Sequence, residues 1–202
     1  MAQFNGYVFV GHMTYDQFRN ATLGNGYNVD RMYGNQCWDY CSLLYYQYGL
    51  QLVTKPGGGT AYDCWRVSRA ANSKYPFTSI SGKTNIRRGD VIITKSPRSS
   101  TGHICIADEN YRTSGDKNKL WCIGQNQRGS SNLPVTRDEV NVSYFVGLFR
   151  NTAWTSTPPT PPPTPPTPPT PTPTPSGKTV YNESKYPWVL YNFNKNKGKR
   201  NG

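Results

Sequence analysis

The chain has 202 residues, a net charge of +12, five cysteines and two histidines, and twelve of its 17 prolines fall in Thr157–Pro175, where only Pro and Thr occur. That tract separates a segment of single-domain size from a C-terminal piece shorter than the roughly 40 residues a chain usually needs to fold unaided. A multi-domain enzyme on a large cofactor fold is excluded, and with no run of about 18 apolar residues so is a transmembrane helix.

The charge calls for an anionic partner and by itself leaves nucleic acid, anionic lipid and acidic cell-wall polymer equally open. The first ten residues hold neither a basic n-region nor an apolar stretch of signal-peptide length, so no signal peptide is expected. An odd number of cysteines then fits free thiols better than a disulfide framework.

Thr14 followed by Gln17 is a capping-box pattern and predicts a short helix to about Thr22. Leu23–Asn35 is rich in Gly and Asn and reads as loop. From Gln36 to Tyr48 the apolar Cys37, Cys41, Leu44, Tyr45 and Tyr48 recur at three and four, which predicts a core-facing helix stopped by Gly49. After Gly57-Gly58-Gly59, Thr60–Asn72 reads as a third helix. The period then changes. Asp90–Thr94, His103–Ala107, Leu120–Ile123 and Tyr144–Phe149 are short, β-branched or aromatic, and divided by Gly/Ser/Asn/Pro loops. Helices followed by closely spaced strands predict an α+β domain with an antiparallel sheet over residues 1–154.

Residues 155–176 form a Pro/Thr-rich linker, expected as extended polyproline II about 60 Å long. Residues 177–202 are a short tail carrying Lys178, Lys185, Lys195, Lys197, Lys199 and Arg200 against Glu183 alone, interleaved with Tyr181, Tyr186, Trp188, Tyr191 and Phe193. Basic residues among aromatics suit attachment to an anionic polymer, and the spacer would raise the effective concentration of the domain around such an anchor.

Cys37 stands where the Gly/Asn loop enters the predicted helix. Unpaired N–H groups and the helix dipole stabilise a thiolate there, so a depressed pKa and a nucleophilic role are expected. Cys41, Cys64, Cys105 and Cys122 read as small core residues. No second Cys/His pair at ligand spacing accompanies Cys37 and Cys41, which argues against zinc. Of the two histidines, His12 has no supporting pattern, whereas His103 opens a strand and can serve as base and then acid.

Gly34-Asn35-Gln36-Cys37-Trp38-Asp39, Arg87-Arg88-Gly89-Asp90-Val91-Ile92, Gly102-His103-Ile104-Cys105-Ile106-Ala107 and Trp121-Cys122-Ile123-Gly124-Gln125-Asn126 together resemble the CHAP family. Its members are cysteine, histidine-dependent amidohydrolases/peptidases that cut peptidoglycan, among them bacteriophage endolysins. The resemblance spans about Met13–Trp154. It implies a papain-like (NlpC/P60-type) α+β fold, N-terminal helices packed on an antiparallel sheet or half-barrel. It also implies that Cys37 attacks an amide carbonyl, that His103 is base and acid, that Asn126 orients the imidazole, and that Gln36 and the Cys37 N–H bind the oxyanion.

Two departures from the family stand out. Many phage lysins carry Glu-Gln-Asn where this chain has Gly124-Gln125-Asn126; the missing carboxylate should weaken support of the imidazolium, so Gly124→Glu is expected to leave activity unchanged or raise it. Some relatives also hold calcium in the loop before the cysteine. The matching positions are Asn28, Asp30 and Asp39, with carbonyls at Met32 and Gly34, a set with one carboxylate fewer than three.

The expected function is therefore a peptidoglycan hydrolase, cleaving either the N-acetylmuramoyl–L-alanine amide or a peptide bond in the stem or cross-bridge. A catalytically silent wall-binding module and a basic nucleic-acid-binding protein are the alternatives. The expected partners are peptidoglycan and an anionic wall polymer, without nucleic acid or membrane insertion, for a monomer held in the host cytoplasm before release or carried on a virion. Calcium is the one expected cofactor.

Overall fold

The computed structural model describes residues 2–4, 7–9, 13–127, 129 and 132–154. The chain divides into two units, Met1–Ser156 and Thr157–Gly202. The Pro/Thr tract and the basic aromatic tail lie outside the described residues, as does His12.

Two short antiparallel strands open the chain, β1 (Ala2–Phe4) and β2 (Tyr7–Phe9), in register Ala2 to Phe9. Helix α1 (Tyr15–Thr22) begins where its capping box places it. Gln17 N donates to Thr14 Oγ1 at 3.3 Å while Thr14 N donates to Gln17 Oε1 at 2.9 Å. Residues 23–35 are loop, as their Gly and Asn content predicts. Helix α2 (Cys37–Tyr46) follows and buries Tyr40, Cys41, Leu43, Leu44 and Tyr45. It ends two residues before Tyr48, and Gly49 follows with a left-handed φ of 66° that favours glycine.

The third helix expected over Thr60–Asn72 is a single turn, α3 (Asp63–Arg66). Side chains take the backbone groups that a longer helix would use. Asn72 Nδ2 donates to the carbonyls of Cys64 at 2.9 Å and Val53 at 2.7 Å, and Ser68 Oγ donates to Thr54 O. The chain is thus tied down to the preceding loop and turns.

Six antiparallel strands form one sheet in the order β3-β8-β4-β5-β6-β7. They are β3 (Phe77–Ile80), β4 (Val91–Thr94), β5 (His103–Ala107), β6 (Lys119–Gly124), β7 (Thr136–Asn141) and β8 (Phe145–Asn151). The four predicted strands are β4, β5, β6 and β8, and they hold the centre. The two that sequence reasoning missed, β3 and β7, are the edges. β7 reads Thr-Arg-Asp-Glu-Val-Asn with only Val140 buried, a polar edge that repels stray pairing but carries no apolar alternation.

Period-two alternation gives the sheet two apolar faces. Val91, Ile93, Ile104, Ile106, Ile123 and Phe149 share a buried cluster with α1 and α2, while Ile92, Cys105, Ala107, Leu120, Cys122 and Leu148 form the other. All five cysteines are free thiols; four are buried and Cys37 is half-buried. Among the described residues no helix is long and apolar enough to cross a membrane.

Candidate active site

Cys37 is the first residue of α2, and its position is set by the buried carboxylate of Asp39. Asp39 Oδ2 accepts the Gln36 N–H at 2.8 Å, and Oδ1 accepts those of Val29 at 2.7 Å and Asp30 at 3.3 Å. One side chain therefore caps the helix and folds the preceding loop onto it. Burial pushes the Asp39 carboxyl up to about 6 even though these three N–H groups pull the other way.

The same loop is latched to the sheet from the far end of β6. Gln125 is fully buried. Its Nε2 donates to Tyr27 O at 2.9 Å and Gln36 O at 2.7 Å, and its Oε1 accepts the Tyr27 N–H at 2.6 Å. Asn126, in the left-handed region at φ 57°, donates Nδ2 to Asn35 O at 2.6 Å and accepts the Leu133 N–H at 2.8 Å. The Gln125-Asn126 pair thus grips both ends of the loop that delivers Cys37.

His103 opens β5 opposite Thr94 of β4. The residue before it must be glycine: Gly102 has φ 72°, and a Cβ there would lie 2.8 Å from Thr94 O. The Cys37 sulfur lies within reach of three backbone N–H groups, those of Ile104, Trp38 and Cys37 itself. Ile104 is the residue after His103, so the structure brings helix start and strand start together. The thiol and the imidazole share no hydrogen bond among the described residues, and catalytic contacts in substrate-free sites commonly tighten only when substrate binds.

Electrostatics at the site differ from the expectation drawn from helix position. Burial pushes the Cys37 thiol up, outweighing the N–H groups that favour the thiolate. Burial also pushes the His103 imidazole down, to about 4, with the Gln127 amide beside the ring acting in the opposite direction. At neutral pH both groups are uncharged, because desolvation penalises each charged form. The depressed thiol pKa expected at the helix N-terminus is corrected accordingly.

Two further expectations are revised by hydrogen bonding. Asn126 spends both ends of its amide on Asn35 and Leu133, away from His103; the amide beside the ring belongs to Gln127. Gln36 donates its Nε2 to Tyr33 O at 2.8 Å and so is bound up in its own loop. Neither Gln125 as a latch nor Gln127 as a neighbour of the ring was singled out from sequence; the run Gly124-Gln125-Asn126-Gln127 was the available signal.

Of the calcium positions, Asn28, Asp30, Met32 and Gly34 lie in the residue 28–35 loop, where Arg31, Tyr33 and Gly34 all adopt positive φ, and Asp39 lies in the first turn of α2. Asn28 Oδ1 is buried without a hydrogen-bond partner among the described residues, an orphaned oxygen of the kind a cation would satisfy. Asp30 Oδ1 accepts the Met32 N–H at 2.8 Å, while Asp39 uses both oxygens on backbone N–H groups. Gly34 packs where a Cβ would come within 2.6 Å of Asn132 Oδ1. The Asn28 oxygen and the Asp30 carboxylate are the oxygen donors of the kind a hard cation takes, with Asp39 spent on the loop N–H groups; among the described residues no three His, Cys, Asp or Glu side chains converge as a metal cluster.

Comparison with known proteins bears on the whole arrangement. The chain is 29% identical over 124 residues to a D-alanyl-L-alanine endopeptidase of Streptococcus phage B30, a match covering 58% of this chain and 26% of that protein. It thus spans about a quarter of the length of that relative. Among solved structures it resembles the wild-type endolysin LysIME-EF1 at a TM-score of 0.50 and 22% identity, over 68% of this chain and 64% of the other. The profile of the CHAP domain matches residues 23–126, from the loop ahead of Cys37 through β5 and β6 to Asn126. With that match over half of its length, the chain belongs to the CHAP domain family.

Proposed function

We propose that the chain is a peptidoglycan hydrolase cutting an amide bond by a Cys–His mechanism, and that the bond is a peptide bond of the stem or cross-bridge. The support for the mechanism is one observation above all: the Cys37 sulfur sits at the first turn of α2 within reach of the N–H that follows His103. The activity of the phage relative, a D-alanyl-L-alanine endopeptidase, favours a peptide bond over the N-acetylmuramoyl–L-alanine amide.

Starting from a neutral pair, the proton moves during attack rather than before it. His103 takes the Cys37 proton as sulfur bonds to the carbonyl carbon, and the carbonyl oxygen becomes an oxyanion. The Cys37 N–H at the helix start is the donor set to receive that charge. His103 then returns the proton to the leaving amine as the C–N bond breaks, giving a thioester. Water, deprotonated by His103, attacks the thioester; sulfur leaves with the proton and the carboxylic acid departs. The lowered imidazole keeps His103 unprotonated, and so available as a base, at every pH above about 4.

We further propose that calcium, when bound, is held by Asn28 Oδ1, Asp30 and the loop carbonyls of Met32 and Gly34, where it orders the segment ahead of Cys37. The orphaned Asn28 Oδ1 supports this assignment. The experiment for the main reading is mass spectrometry of muropeptides from digested walls. New amino and carboxyl termini within the stem or cross-bridge from the wild type, and none from Cys37→Ala, are expected; equal clearing of walls by Cys37→Ala would refute the mechanism, and freed lactyl carboxyls paired with free L-Ala amino termini, with the stem and cross-bridge intact, would move the cut to the amide at muramic acid.

A further inference from the structure

We propose that Gln127 is the positioning residue for His103, its Oε1 accepting the imidazole Nε2–H so that Nδ1 carries the lone pair that takes the Cys37 proton. The proposal rests on the Cys–His reading above. Four observations converge on it.

First, the Gln127 side chain lies against the ring. Second, its orientation is dictated by its neighbours. Nε2 donates to Cys122 O at 3.0 Å and to Thr136 O at 2.8 Å. A flipped amide would set oxygen against two carbonyl oxygens, so the nitrogen stays on the strand ends and Oε1 is left for another donor. Third, Oε1 of Gln127 and Nε2 of His103 are both buried, and neither has a hydrogen-bond partner among the described residues. Buried polar atoms without partners are rare in folded proteins. Here an acceptor and a potential donor stand unpaired on two adjacent side chains, and a small closure pairs them.

Fourth, the space for Gln127 exists because position 124 is glycine. A Cβ on Gly124 would lie 3.5 Å from Gln127 Cδ and 3.1 Å from the Cβ of Cys105, its neighbour on β5. A longer side chain at 124 would therefore compete with Gln127 for the same volume. Gly124 and Gln127 act as one unit: the chain dispenses with a side chain on β6 and reaches the histidine from the following turn. Asn126, committed to Asn35 and Leu133, is not available for the task.

A neutral amide in this position selects a tautomer without supplying a charge. That agrees with a base held neutral, since a carboxylate in the same place would draw the imidazole toward its protonated form.

The test uses the full chain labelled with nitrogen-15. Long-range proton–nitrogen NMR at neutral pH distinguishes the two tautomers, and His103→Gln identifies the His103 signals. Wild type is expected in the Nε2–H form. Gln127→Met, similar in volume and without an acceptor, is expected to mix the tautomers and to lower kcat for wall cleavage on the order of tenfold or more at nearly constant KM. Unchanged His103 signals and pH profile, with only a lower melting temperature, would reduce Gln127 to a brace of the strand ends and overturn the proposal.

A pair of backgrounds guards against misfolding. The crowding at position 124 reverses the expectation drawn from the family pattern: Gly124→Glu alone should displace Gln127 and slow cleavage. In a Gln127→Ala background the same Glu has room; it should restore rate and move the acid limb to higher pH. Equal effects in both backgrounds would also overturn the proposal. If Cys37→Ala still cleaves, the Cys–His mechanism fails on its own, while the tautomer spectra continue to decide the role of Gln127.

Discussion

The Nε2 of Gln125 donates to the carbonyl of Gln36 at 2.7 Å, joining the end of β6 to the residue immediately before Cys37 across 89 positions of sequence. With its two bonds to Tyr27, this amide fixes where the helix carrying the thiol begins relative to the sheet carrying the imidazole. Gln125→Ala removes the three hydrogen bonds of a fully buried side chain and should cost about 2–4 kcal/mol, read as a lower midpoint in urea, together with a fall in kcat. Wild-type stability and rate in that variant would show that the latch is dispensable.

The pH profile of cleavage follows from the half-buried imidazole, whose Nε2 is shut away from water. A histidine held at about 4 stays unprotonated, and so able to act as base, well below the ordinary histidine range near 6.5. The acid limb of kcat/KM should therefore fall near pH 4, with activity persisting at pH 5, measured on isolated walls in a set of overlapping buffers. An acid limb near 6.5 would mean that the ring is more hydrated in solution than its burial indicates. The same shift makes His103 a source of acid lability, because the unfolded chain binds its proton first. Its contribution declines as pH falls from about 6.5 toward 4 and is unaffected above that window.

Asp39 works in the opposite direction over nearly the same range. Its folded-state value of about 6 lies above the ordinary 3.8, so the folded protein takes up this proton first on acidification. The stabilising contribution is complete below about 4 and is lost as pH rises through about 6. Asp39→Asn should remove that slope from the melting temperature between pH 4 and 7. Asp39→Ala, which strands the N–H groups of Val29, Asp30 and Gln36, should cost about 2–4 kcal/mol. An identical pH slope in Asp39→Asn would show that the carboxyl is ionised throughout.

Chelation tests the loop ahead of Cys37. If Asn28 Oδ1 and Asp30 hold calcium, a chelator should lower both the melting temperature and the rate of wall clearing, calcium should restore them, and Asn28→Ala should abolish the response. Indifference of wild type to chelator and to added calcium would remove calcium from the account.

Local rules were enough for much of this protein. Thr14 and Gln17 announced α1 because a capping box is a contact between residues three apart, and Cys37 could be set at a helix start from the Gly/Asn loop before it. β4, β5, β6 and β8 were legible as β-branched and aromatic runs, and the four strings around Cys37, Asp90, His103 and Gln125 carried the family. β3 and β7 were not legible, since edge strands bury little and show no apolar alternation. α3 was overestimated because Asn72 and Ser68 draw its chain into side-chain bonds with a loop up to 19 residues away.

What only the tertiary structure decided is the state and support of the reacting groups. Helix position alone favours a thiolate at Cys37, but partial burial against β5 penalises the charge and reverses the direction. The identity of the amide beside His103 likewise turned on which side chains had already been spent: Asn126 on Asn35 and Leu133, Gln36 on Tyr33, Gln125 on the nucleophile loop. Burial and hydrogen-bond partnership are properties of residues brought together from distant parts of the chain, and a pattern read along one strand or helix carries no record of them.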